Sequence, residues 1–135
     1  MAATKTLELT WAGEESFRGG VPGGPTVVID GHAKDGASPV EQLLLAAASC
    51  SGIDVVLILQ KMRVTLESLR VEVMGERRDE TPKRFTAIHF RFHVAGAGAD
   101  ETKLRRAIDL SLEKYCSVVQ SLAPDIRITY DAIIG

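Results

Sequence analysis

Cys50 and Cys116 are the only cysteines in this chain. A thiolate can attack a peroxide, bind a soft metal or exchange with a disulfide, so these two residues carry the widest chemistry in the sequence. Their separation excludes a C-x-x-C pair or a metal knuckle, and only the fold can bring them together. Two thiols that meet in this way are either small core hydrophobes, the ordinary state of free cysteine, or a redox pair. The redox reading needs one of them as thiolate, which takes a nearby cation or a helix N-terminus. Cys50 follows Ala46-Ala47-Ala48-Ser49, whose small side chains let a ligand, another backbone or a second thiol approach its sulfur. Asp54 lies one turn further along the same apolar stretch, so its carboxylate needs a partner or a solvated groove. Unopposed by a cation, it would disfavour a Cys50 thiolate.

The other constellations are weaker. His89, Arg91 and His93 alternate with Ile88, Phe90 and Phe92, which places them on one face of a strand. H-x-R-x-H could seed a metal site, but its central arginine opposes a cation and no carboxylate stands at fixed spacing. A solvated sheet face, with no metal and no cofactor, is the expectation. The glycines after Arg18 lack the Gly-Lys-Ser/Thr ending of a phosphate loop and read as a turn.

The elements that must position the thiols follow from periodicity. Leu7, Leu9 and Trp11 alternate with polar residues as in a half-buried strand; Ser16–Gly20 and Thr26–Asp30 follow as strands. Ser38-Pro39-Val40-Glu41 has the pattern of a capping box and opens a helix to about Met62. Its first half is apolar around nearly the whole circumference, which predicts burial on most sides, by sheet or by a second subunit. Strands are expected around Leu69–Val73 and over Phe85–Val94, joined by a charged hairpin. Asp100 would cap a second helix with Leu104, Ile108, Leu112, Tyr115 and Val119 on one stripe and Cys116 on its apolar side, and Ile126–Tyr130 would be a last strand. The order β-β-β-α-β-β-α-β implies an α+β domain, mostly antiparallel, over residues 1–135.

With 135 residues, 45% hydrophobic, 25% charged and a net charge of −2, the chain has the composition of one soluble globular domain, with nothing that favours nucleic acid or an anionic membrane. The N-terminal residues have no signal-peptide core, and no uninterrupted apolar run has the length of a membrane span. A reducing, cytoplasmic location is expected, where a disulfide would be transient and catalytic or sensing.

Two segments carry a resemblance. SPVEQLLLAAASCSGIDVVLILQKM and, much later, EKYCSV resemble the OsmC/Ohr family, with its YhfA-like branch the nearest pattern. The agreement is colinear over nearly the whole chain and includes the Trp11 start, the charged hairpin and the DLSLEKYCSV segment. The resemblance implies an intertwined α+β homodimer, with long central helices between sheets from both subunits and active sites at the interface. It implies that Cys50 is the peroxidatic cysteine and Cys116 the resolving one, that the substrate is an organic hydroperoxide, and that an external dithiol restores the thiols. In the family a glutamate directly after the helix-opening proline holds an arginine against the thiolate. Here Pro39 is followed by Val40, and Glu41 comes one position later, about 100° around the helix. Glu41 and Arg18, the arginine nearest the Trp11 start, are the tentative counterparts. Two alternatives stand beside the peroxidase: a small-molecule-binding or redox-sensing dimer with little turnover, and a dimer with inert buried thiols.

Overall fold

The structure is a computed structural model and describes residues 3–135. The order is β1 (Glu8–Trp11), β2 (Ser16–Gly20), β3 (Thr26–Asp30), α1 (Pro39–Lys61), β4 (Thr65–Arg77), β5 (Phe85–Ala97), α2 (Glu101–Leu110), a π turn (Ser111–Tyr115), α3 (Ser117–Gln120) and β6 (Arg127–Ile134). This is the expected α+β order, with the second helix broken by the π turn. Contacts divide the chain into two compact units, one up to Leu43 and one from Leu44 to Gly135.

The N-terminal unit holds an antiparallel meander, β1-β2-β3. Its register aligns Leu9, Gly19 and Val27, and beside them Trp11, Phe17 and Ile29, on one face; Thr10, Arg18 and Val28 align on the other. The glycine-rich segment is a turn, as its composition predicts. Gly24 N–H bonds to the Val21 carbonyl at 2.8 Å, Gly23 has φ +77°, and a Cβ on Gly20 would collide with the Pro25 carbonyl. Asp30 organises the loop after β3: its carboxylate accepts from the backbone N–H groups of His32, Lys34 and Asp35 at 2.9, 3.3 and 3.0 Å. Those donors, that of Asp35 foremost, hold its pKa below the usual carboxylate value. The half-burial expected of β1 is not found: Leu9 and Trp11 are 59% and 64% exposed. Alternation identifies an apolar face but not what covers it.

Helix α1 starts where the capping box places it. Ser38 Oγ accepts from Glu41 N–H at 3.3 Å, and Glu41 Oε1 accepts from Ser38 N–H at 2.8 Å. It ends in a Schellman motif, with Val64 N–H on the Leu59 carbonyl, Arg63 N–H on the Gln60 carbonyl, and Arg63 at φ +65° in place of the usual glycine. Ala47, Ala48, Ser51, Gly52, Val55 and Leu59 form its buried stripe. The expected burial on most sides is not met in the single chain, because Leu45, Ile53 and Leu57, spaced along another face, are more than half exposed. By length and composition α1 is apolar enough to cross a membrane, with a mean hydropathy of 2.0 over its best window. Isolated polar residues, among them Gln42, Ser51, Asp54 and Gln60, interrupt its apolar stretches. The helix nonetheless has the contacts of a core helix: Gly52 faces Val71 of β4, and Asp54 is hydrogen-bonded to Ser111.

In the C-terminal unit β4 and β5 form a long antiparallel hairpin, and β6 adds to β5 in parallel. Ile88, Phe90, Phe92 and Val94 point inward and are buried with Val55 and Leu59 of α1 and Leu104, Ala107 and Ile108 of α2. Each large apolar side chain so buried contributes about 1.5–3 kcal/mol relative to exposure. Asp100 caps α2 as predicted, accepting from Lys103 N–H at 2.7 Å. Tyr130 ties β6 to α2 through a 2.6 Å hydrogen bond to Asp109.

The outward face of β5 is polar and partly exposed. His89 bonds Thr129 at 2.6 Å and Asp131 at 3.0 Å, and Arg91 donates to the same Asp131 carboxylate at 3.2 Å. His93 bonds Glu72 at 2.7 Å. The imidazoles are thus engaged by carboxylates of neighbouring strands, with a guanidinium between them. No cluster of three potential metal-ligating side chains occurs among the described residues.

Candidate active site

Cys50 stands on the unbroken α1 and is half-buried. Cys116 reaches it by a different route. The chain leaves α geometry at Ser111, and Cys116 N–H closes onto the Ser111 carbonyl at 2.7 Å, five residues back instead of four. The extra residue changes the phase of the helix. An unbroken α stripe would bury Tyr115, yet Tyr115 is 51% exposed and Cys116 is fully buried. Cys116 therefore lies at the end of the helix, not within it: its backbone is extended (φ −72°, ψ 103°), and its sulfur accepts from Val119 N–H at 3.5 Å as α3 begins.

The two thiols are unbridged side-chain neighbours. Burial pushes the Cys116 pKa up to about 11, the Val119 N–H opposes that shift, and the interaction with Cys50 adds to it. Cys116 thus carries its proton at neutral pH and meets Cys50 as a neutral thiol.

A buried polar bridge lies beside the pair. Ser111 Oγ is 2.9 Å from Ser51 Oγ and 2.9 Å from Asp54 Oδ2, and both serines are fully buried. A carboxylate can only accept, so Ser111 donates to Asp54 and accepts from Ser51. This is the partner that Asp54 required. Ser51 and Ser111 carry no signal of their own in the sequence; the unpaired carboxylate on an apolar helix was the pointer to them.

The remaining predicted residues belong to the N-terminal unit. Arg18 is exposed on β2 and has no ion pair among the described residues, and the Glu41 carboxylate caps α1 through Ser38. Along α1 and β4 runs an apolar groove of about 460 Å³, lined by Leu45, Ala48, Ser49, Gly52, Ile53, Val56, Leu57, Leu69 and Val71.

A thiol on a long central helix, a second thiol at the break of a later helix, and strands in this order define a class. The family model described as OsmC-like protein matches residues 31–131, and the chain belongs to that family. Protein YhfA of Escherichia coli (strain K12) is 42% identical over 121 residues, which are 89% of this chain and 90% of YhfA. The crystal structure of a hypothetical protein from Aquifex aeolicus VF5 superposes with a TM-score of 0.85 at 29% identity over 99% of both chains. The organic hydroperoxide resistance protein OhrB of Bacillus subtilis shares the fold, with a TM-score of 0.60 at 16% identity over 98% of this chain and 100% of that one.

Proposed function

We propose that this protein is a thiol-dependent reductase of organic hydroperoxides, with Cys50 attacking and Cys116 resolving. Membership of the OsmC-like family, and a fold neighbour named for hydroperoxide resistance, support a peroxide-related redox role. The observation that carries the specific reading is the pairing of a half-buried Cys50 with a fully buried, protonated Cys116.

The Cys50 thiolate attacks the outer oxygen of the peroxide, the O–O bond breaks, and the alkoxide takes a proton to leave as an alcohol; Cys50 becomes a sulfenic acid. The Cys116 sulfur then displaces hydroxide from that sulfenic sulfur, its own proton completes a water molecule, and a disulfide forms. An external dithiol returns both residues to thiols through a mixed disulfide and is itself oxidised to a disulfide. Arg18 is the candidate cation for the Cys50 thiolate, and Glu41 is the candidate to orient it. The working unit is a homodimer in a reducing compartment. The exposed Leu45, Ile53 and Leu57 of α1, and the exposed Leu9, Trp11 and Val27 of the N-terminal sheet, are the apolar surfaces that a second copy would cover.

The test is consumption of an alkyl hydroperoxide in the presence of dithiothreitol. Turnover that needs both cysteines supports the reading, and equal rates in the parent, Cys50→Ser and Cys116→Ser proteins refute it. The apolar groove, with Val40 in the position of the family glutamate, favours a second reading: a ligand-binding or redox-sensing dimer. In that case an apolar ligand binds in the groove and hydroperoxide is consumed once per site without recycling.

A further inference from the structure

The reading of Cys50 and Cys116 as a redox pair leaves unexplained how the chain holds a resolving thiol at a helix break. A disulfide needs the two Cβ atoms about 3.5–4.5 Å apart and a narrow range of dihedral angles. Cys116 stands on extended backbone between a π turn and a four-residue helix, which are short elements with few hydrogen bonds of their own. Ser111 grips this segment twice. Its carbonyl takes the Cys116 N–H at 2.7 Å, and its hydroxyl reaches α1 at both Ser51 and Asp54, 2.9 Å from each. Ser51 is the residue after Cys50, and Asp54 lies one turn beyond it. Every hydrogen-bonding direction in the bridge is determined, since one hydroxyl proton points to the carboxylate and the other to Ser111. The bridge is fully buried at both serines, where a charge-assisted hydrogen bond is strong and a lost partner is costly.

We propose that Ser111 is a positioning residue for disulfide closure: its hydroxyl, held between Ser51 and Asp54, clamps the turn that carries Cys116 against the helix that carries Cys50. This rests on the redox-pair reading and adds to it the device that sets the effective concentration of one thiol at the other. Asp54 acts as a fixed acceptor. Its oxygen has to receive the hydrogen bond from Ser111.

The test equilibrates the full-length protein with mixtures of reduced and oxidised glutathione, in which glutathione disulfide takes two hydrogens from the thiol pair and leaves as two glutathione thiols. The midpoint of intramolecular disulfide formation gives the effective concentration of the pair. Ser111→Ala and Asp54→Ala are expected to lower it by about ten- to a hundredfold, the loss of a buried hydrogen bond to a charged group. Asp54→Asn keeps an acceptor oxygen without the charge and is expected to lower it by about three- to tenfold, less than Asp54→Ala does. Thermal unfolding identifies any variant that fails to fold, and Ser51→Ala then takes its place with a smaller expected loss. Three results overturn the clamp while leaving the redox pair intact: a Ser111→Ala midpoint equal to the parent's, a lowered melting temperature with an unchanged midpoint, or an Asp54→Asn loss as large as that of Asp54→Ala. A parent protein that forms no Cys50–Cys116 disulfide at any glutathione ratio overturns the redox pair itself, and the clamp with it.

Discussion

The two cysteines have the same side chain and different backbones. Cys50 lies within a 23-residue helix that continues past it on both sides, and the residue is half-buried. Cys116 lies where a helix stops, on extended backbone behind a π turn, and is fully buried with its pKa raised to about 11. The first arrangement gives a fixed and reachable sulfur, which suits attack on an incoming substrate. The second gives a sheltered, protonated sulfur aimed at one neighbour, which suits a thiol that acts only after its partner is oxidised. Backbone geometry thus distinguishes the two thiols without any difference in residue type.

Exchanging either thiol tests that division. Cys50→Ser removes the attacking group, and hydroperoxide turnover is expected to fall by roughly a thousandfold or more in a steady-state assay with dithiol. Cys116→Ser keeps the attack. One equivalent of hydroperoxide per site is expected to be consumed in a burst, leaving a sulfenic acid on Cys50 that dimedone traps and mass spectrometry locates. A full catalytic rate in Cys116→Ser would remove the distinction between the two thiols.

Alkaline titration sharpens the comparison with a smaller effect. The folded state holds the Cys116 proton more tightly than the unfolded chain, so between about pH 9 and 11 the native protein binds more protons than the unfolded one. Stability contributed by this group is complete below that window and declines as pH rises through it. Thermal unfolding of the parent is expected to lose stability there more steeply than that of Cys116→Ser, and parallel curves would mean that the thiol is not buried in an apolar site. Asp30 has the opposite sign. Its lowered pKa gives stability that is present above the usual carboxylate value and lost as pH falls below it, and Asp30→Asn is expected to flatten the acid limb of the melting curve. The smallest effect concerns the start of the Cys50 helix. Ser38→Ala removes half of the capping box and is expected to cost about 1 kcal/mol by denaturant unfolding.

Much of this was legible in the residues. Ser38 and Glu41 marked the start of α1, Asp100 marked that of α2, and the inward set of Ile88, Phe90, Phe92 and Val94 marked the central strand. These signals are local, and local hydrogen bonding or alternation determines them. The π turn was not legible, because Leu112, Tyr115 and Val119 fit a 3.6-residue stripe and a single inserted residue leaves no compositional trace. The parallel pairing of β5 and β6 was also hidden, since alternation identifies faces and not partners. The exposed faces of β1 and α1 follow the same logic: apolar residues declare a surface to be covered and leave open what covers it. Cys50 and Cys116 are neighbours that spacing alone could not pair, and the Ser51–Ser111–Asp54 bridge likewise joins distant positions, foreshadowed only by the carboxylate of Asp54.

The most direct test of the account is to treat the reduced protein with one equivalent of an alkyl hydroperoxide, alkylate the remaining thiols, and map the peptides by mass spectrometry. The account predicts loss of two hydrogens, a single crosslinked peptide pair joining Cys50 to Cys116, and no alkylation at either residue. Recovery of both cysteines as alkylated thiols, with the hydroperoxide unconsumed, would contradict it.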